Sequence, residues 1–422
     1  TFTTAGCSVI TSNVAQIAIN VLPSVITPQD AATCSGTAFT VAPTDGGGNT
    51  IPAGTTYTWT APTGTGFTGG SAVTTGQTNI SQTLTNTTNA PVTVQYQVTP
   101  SANNCAGTPF TVTVTLNPMP VIPNQAQAIC SGDTFTVTPA NNVPTVIVPA
   151  GTTYTWSAPT VTPAGAITGE ASGTSQTSIS GQLTNTTNTV QTLIYTVTPT
   201  SPAGNCVGAA FTVTVTVNPV PQAADEQAQV CSGQAFTVTP VNGGANSIPA
   251  GTTYTWTTTP VAGVTGNTNQ TTAQPTISQT LTNSGTAAAT VTYTVTPVSG
   301  ICTGAVFTVD VLVSPTPNIN TVASQTKCGG ETTDPITFTS PVAGTVFNWT
   351  NDTPSIGLAA AGTGDIAGFT ATNTTSAPVT ATITVTPVLN GCTGLQQTFT
   401  ITVNPAPAVG FSQPDQAICS GT

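Results

Sequence analysis

Ten cysteines are the residues of this chain best placed to do chemistry, because they are numerous, regularly spaced and unaccompanied by any histidine. Eight of them form two series. Cys34, Cys130, Cys231 and Cys328 recur about every hundred residues, the first three opening the phrase CSG, and Cys105, Cys206, Cys302 and Cys392 each stand before the next opening. Without histidine, this pattern argues for disulfides over zinc and for an oxidising, extracellular location. Pairing within each unit is the first expectation: Cys34 with Cys105, Cys130 with Cys206, Cys231 with Cys302 and Cys328 with Cys392. Chain entropy puts each such bond at roughly 4 kcal/mol. Two alternatives stay open. If the first strand of a unit is full length, its opening and closing cysteines lie at opposite poles, too far apart to bond. Staggered pairs, such as Cys34–Cys206 and Cys130–Cys302, would then link neighbouring units. Pairing across the linker, Cys105 with Cys130 and onward, would use all ten.

Little else in the chain could react. General acid–base catalysis needs a positioned group with a tuned pKa, yet arginine is absent and Lys327 is the single basic side chain. The close carboxylate pairs, Asp225 with Glu226 and Glu331 with Asp334, sit at unit edges and read as solvated surface. Gly46, Gly47 and Gly48 lack the lysine that follows a phosphate loop, and no G-x-S-x-G elbow accompanies a base. Asp352 and Asp365 are isolated, whereas calcium needs several oxygen ligands close together. We therefore expect no enzyme activity, no cofactor and no metal. One lysine cannot supply lysine–asparagine cross-links to several domains. The triplets beginning at Asn86, Asn185 and Asn373 have the form of glycan acceptors.

Charge is scarce throughout. Charged residues make up 3% of the chain, and the net charge of −11 comes from scattered carboxylates. One cation cannot neutralise phosphates or hold an anionic bilayer, so nucleic-acid binding and polybasic membrane contact are excluded. Threonine interrupts every apolar run before the roughly 18 residues of a membrane span, so no direct membrane insertion is expected. Disorder is also disfavoured, because 37% of the residues are hydrophobic and many are β-branched. The opening TFTTAGCSVI has neither a basic leader nor an apolar core, as expected of a mature or excised segment.

The elements that hold the cysteines are strands. PAGTTYTW occurs at 52–59, 149–156 and 249–256, and the phrases ISQTLTN (80–86 and 277–283) and ISGQLTN (179–185) follow it. Each phrase alternates with period two. In FTVTVTLNP, Phe110, Val112, Val114 and Leu116 face one way and Thr111, Thr113 and Thr115 the other. About seven such strands per unit, with one tryptophan on the third, describe an immunoglobulin-like sandwich. Trp59, Trp156, Trp256 and Trp349 are then core residues, packed against neighbours such as Phe39, and Pro-Ala-Gly is the turn before their strand. Phe67 and Phe369 are the alternative surface aromatics.

Proline pairs, such as Pro118 with Pro120, mark stiff boundaries. The expected fold is all-β: tandem sandwiches in a linear array at 24–118, 119–219, 220–315 and a divergent 316–405. Residues 1–23 would end a preceding repeat and 406–422, with Cys419, would start another. Each sandwich would contribute about 40 Å of length from strands of ordinary rise.

ICSGDTFTVTP, TTYTWSAP and NCVGAAFTVTVTVNPVP together resemble the PKD-like and immunoglobulin-like repeats of giant surface proteins in gliding and related Bacteroidota. The resemblance spans nearly the whole chain; the fourth unit departs from it at Val346-Phe347-Asn348 and at Ile383. It implies export to the cell surface, a role as stalk, adhesin or filament material, and a C-terminal sorting domain that this segment lacks. The expected function is an extracellular, rod-like structural repeat whose partners are other copies or neighbouring repeats of the same protein. The second expectation is an adhesin module binding glycans or surfaces through exposed loops.

Overall fold

A computed structural model of the chain describes residues 19–407. The pieces expected to end a preceding repeat and to start a following one lie almost wholly outside the described residues. The chain divides into two compact units, Thr1–Pro219 and Val220–Thr422. Among the described residues helix is limited to two 3-10 turns, Ala203–Asn205 and Pro354–Ile356.

In the first unit, the first sandwich is built from β1 (Gln29–Cys34), β2 (Ala38–Val41), β3 (Thr56–Trp59), β4 (Phe67–Gly69), β5 (Val73–Gln77), β6 (Ile80–Asn86), β7 (Val92–Ala102), β8 (Cys105–Ala106) and β9 (Phe110–Asn117). One sheet has the order β1-β9-β7-β3-β5, with β8 folded back on β7, and the other has the order β2-β6-β4. The period-two pattern decides which face is inside. Val94, Tyr96, Val98, Val112, Val114 and Leu116 are buried, while Thr93, Gln95 and Gln97 stand outward. Phe39 of the facing sheet meets Tyr96 with ring centroids 5.3 Å apart, and Tyr57 meets Phe110 edge-on at 6.2 Å. Phe39 thus packs on a tyrosine of β7.

β1 runs parallel to β9, from Gln29 beside Val112 to Cys34 beside Asn117. This parallel pairing has a simple origin: the linker delivers the chain to the pole where β9 begins, with Pro23 O against Gly107. A turn at Cys34-Ser35-Gly36-Thr37 then carries the chain to the other sheet. The Thr37 N–H donates to Cys34 O at 3.0 Å, and Gly36 has φ +78°, which a type II turn requires at its third position. Pro52-Ala53-Gly54-Thr55 forms a similar turn before β3.

The second sandwich repeats the main sheet with Gln125–Cys130, Phe211–Asn218, Gln191–Thr200, Thr153–Trp156 and Gly173–Gln176 in order. In the second unit, the third sandwich repeats both sheets. The fourth keeps the main sheet, Gln325–Cys328 to Ala361–Thr363. Its second layer is held by isolated bridges, Thr332 to Thr370 and Ile336 to Ile366, among the described residues. Ile383 fills the place of Tyr96, and Phe338 packs at a tilt on Phe347 and Phe399 instead of on a tyrosine.

Candidate functional site

The cysteines follow from this topology. β9 has eight residues and spans roughly 26 Å at the usual strand rise. The opening cysteine ends β1 at the far end of β9, while the closing cysteine follows the hairpin before β9 begins. No pair within one sandwich can meet. Cys34 is bonded to Cys206 in the first unit and Cys231 to Cys392 in the second, each with Cα atoms 5.6 Å apart. The expected pairs Cys34–Cys105, Cys130–Cys206, Cys231–Cys302 and Cys328–Cys392 are therefore replaced by bonds from one sandwich to the next. Cys130 and Cys302 are disulfide-bonded as well. Cys105 and Cys328, both expected in disulfides, are free and half-buried.

Each staple has polar support. In the first unit Cys34 Sγ lies 3.9 Å from Gly204 O, and a side chain at Gly204 would collide with Asn117. In the second, Gln229 Nε2 donates to Asn390 O at 2.9 Å, and Asn390 Nδ2 donates to Ser314 Oγ at 3.2 Å. Asn117 and Ser314 hold the same register position, opposite the opening cysteine.

The other residues singled out by type are structural. Asp225 Oδ1 accepts the Thr308 N–H at 2.7 Å, which holds its carboxyl below the usual range. Asn124 does the same for Thr212, and Thr27 for Thr111. Glu331 Oε2 accepts the Cys328 N–H at 2.7 Å, Asp334 pairs with Lys327 at 3.1 Å, and Asp365 accepts the Phe338 N–H. Asp352 Oδ1 accepts from Thr382 N–H and Thr353 Oγ1, the backbone bond being the main reason its carboxyl is lowered. Phe67 and Phe369 pack against the cores of their sandwiches.

The asparagine triplets take a different role from glycan acceptance. Asn86 is buried; its Nδ2 donates to Ala90 O and Leu116 O, each at 2.8 Å, and its Oδ1 accepts the Thr88 N–H. Asn185, Asn283 and Asn373 make the matching bonds to Val217, Val313 and Val403. Ser35, the middle residue of CSG, accepts the Asn86 N–H at 3.0 Å. The CSG and LTN phrases are two halves of one buried link between the sheets.

The four tryptophans are buried on their strands. Trp59, Trp156 and Trp349 donate Nε1–H to Ser71 O, Ala171 O and Gly364 O. Shallow grooves run beside two of them. One of about 310 Å³ is lined by Thr58, Trp59, Val73, Gln97 and Thr99, and one of about 280 Å³ by Thr255, Trp256, Gln270, Thr294 and Thr296. In the second and fourth sandwiches Gly173 and Gly362 let the strand close onto the indole, where any side chain would strike the ring.

Sequence reasoning passed over one recurrent residue. Two positions after each closing cysteine stands a glycine: Gly107, Gly208, Gly304 and Gly394. Any side chain there would collide with the carbonyl of the incoming linker, at Pro23, Pro120, Pro221 and Pro317 respectively. The signal was the Cys-x-Gly spacing, shared by all four repeats.

No curated protein sequence matches the chain. Among solved structures it is similar to Sidekick-1 immunoglobulin domains 1–4, at 10% identity over 91% of this chain and 99% of that one, with a TM-score of 0.24. It is also similar to the human desmocollin-1 ectodomain, at 12% identity over 93% and 81%, with a TM-score of 0.22. A third is Drosophila N-cadherin EC1–4, at 9% identity over 84% and 92%, also with a TM-score of 0.22. The sequence model of the PKD-like domain matches residues 48–120, 127–221, 228–317 and 325–407. With most of its length accounted for in four successive matches, the chain belongs to the PKD-like domain family.

Proposed function

We propose that this chain is a structural segment of an extracellular stalk or filament at the cell surface, of the kind its resemblance to Bacteroidota surface repeats implies. The observation that carries the reading is the covalent bond from one sandwich to the next, Cys34–Cys206 and Cys231–Cys392. A single-domain core gains nothing from such a bond, whereas a load-carrying string needs its joints fixed. Disulfides of this kind also require an oxidising compartment. Among the described residues no helix is long and apolar enough to cross a membrane, and the titratable groups found at the strand edges serve backbone N–H groups instead of a reaction.

Replacing the first staple by Cys34→Ser with Cys206→Ser tests it. Each sandwich should stay folded, read by circular dichroism and tryptophan emission, while small-angle scattering should show a broadened distance distribution. Unchanged scattering would sink the structural role of the joint. The grooves beside Trp59 and Trp256 favour a second reading, an adhesive module that takes glycans on hydroxyl and amide side chains. A glycan array probed with the intact chain separates the two.

A further inference from the structure

We propose that Trp256 Nε1 is the anchoring donor of a binding site for a neutral saccharide on the third sandwich. The proposal deepens the adhesive reading of the chain and rests on it. Its starting point is a difference among the four repeats. Trp59, Trp156 and Trp349 each give the indole N–H to a backbone carbonyl. In the first sandwich that carbonyl is Ser71 O, which Gln82 Nε2 also reaches at 3.0 Å. The third sandwich keeps the frame. Val73 lies opposite Trp59 and Gln270 opposite Trp256, so Thr268 holds the place of Ser71, and Thr268 O accepts Gln279 Nε2 at 2.8 Å. Trp256 Nε1 has no partner there, although the residue is only 4% exposed. Buried indoles ordinarily find an acceptor, because an unmatched N–H is costly.

A second depression, of about 180 Å³, shares Trp256 and Gln270 with the groove of about 280 Å³, and Gln274, Thr276, Ser278 and Gln279 complete it. Every lining residue of the two is uncharged. An ion would find no countercharge, whereas a neutral polyol brings no ionic desolvation cost. Sugar hydroxyls both donate and accept, which suits walls of amides and hydroxyls; the indole N–H only donates, so the atom facing it is a hydroxyl or ring oxygen. Both depressions fall below the roughly 300 Å³ of a pocket for a drug-sized ligand, which suits each to a single sugar ring. A peptide strand would instead be read through a row of backbone groups, and the polar groups here are side chains. The other repeats lack the arrangement. Gly173 and Gly362 let the strand close onto the indole, and Val73 offers no polar group opposite Trp59. Because Trp256 is covered, a ligand oxygen reaches Nε1 as a flexible neighbour turns aside. Half-buried Gln270, opposite Trp256 in the register, is that neighbour.

The test uses the intact chain with isotope-labelled tryptophan, read by nitrogen–proton correlation NMR of the indole groups. The probes are the methyl glycosides of glucose, galactose, mannose and N-acetylglucosamine, with acetyl-trialanine amide as the peptide control. With at least one glycoside the Trp256 signal, assigned by its loss in Trp256→Phe, should shift saturably with a dissociation constant of about 1 to 10 mM. The signals of Trp59, Trp156 and Trp349 should stay in place. Gln270→Val brings in the residue type that the first sandwich carries at this position, so it should keep all the indole signals and weaken binding about tenfold. A Trp256 signal that no glycoside moves, equal shifts of every indole, undiminished binding by Gln270→Val, or a shift produced by the peptide alone would each overturn the proposal. The glycan array keeps the two levels apart. A glycan retained by the intact chain while the Trp256 signal stays still removes this site and spares the adhesive reading; an empty array with a still signal removes both.

Discussion

Asn86 shows how far a residue's type can mislead about its place. The triplet Asn-Thr-Thr describes a surface acceptor, but both amide hydrogens are spent on Ala90 O and Leu116 O inside the sandwich. Asn86→Ala should cost about 1 to 3 kcal/mol in urea unfolding of the first sandwich, because it strands the buried Leu116 carbonyl. Gly107 was illegible for another reason: it needs no unusual φ, only the space taken by Pro23 O. Gly107→Ala should destabilise by about 1 to 3 kcal/mol, since a backbone carbonyl cannot step aside as a flexible side chain can. The tryptophans, by contrast, were readable as core from strand position alone. The tyrosines set the alkaline limit. Burial pushes Tyr96 up to about 12, and pushes Tyr195 to about 12 with Glu170 adding to it. The folded pKa is above the unfolded value, so their contribution is complete below about pH 10 and is lost as pH climbs towards 12. With no histidine to titrate, denaturant midpoints should be nearly flat from about pH 5 to 9, and should fall in the alkaline range together with the phenolate absorbance.

The strands themselves were legible, because alternation of Val with Thr fixes both the extended backbone and the face that turns inward. Their poles were not. Which cysteine meets which depends on how far β1 runs beside β9 before the CSG turn, and composition is silent on strand length and direction. The full register from Gln29 to Cys34 rules out every bond within a sandwich. The fourth sandwich shows the converse: phrases had drifted, yet Trp349 and Ile383 still sit in its core because volume and alternation persisted. Core loss should stay local. Trp156→Ala should cost about 3 to 5 kcal/mol, and hydrogen exchange by mass spectrometry should rise in peptides of the second sandwich while those of the first change little.

Across the full chain, stability comes from apolar faces, buried amide links and sulfur bridges, because one cation leaves almost no ion pairs to form. Lys327 lies within Gln325–Cys328, its backbone beside Val403. Trypsin should therefore leave the native chain intact and cut once after reduction and unfolding; several native fragments would contradict the strand pairing. The two staples also divide the polypeptide into what can be stretched and what cannot. Cys34–Cys206 spans 172 residues and Cys231–Cys392 spans 161. A force applied outside either bridge travels through the sulfur bond and passes by the enclosed chain, so roughly 600 Å of slack in the first unit alone stays locked away. Pulled from its ends in an optical trap, each unit should give up only the short stretches outside its bridge, and release the hidden contour length only when a reductant is added.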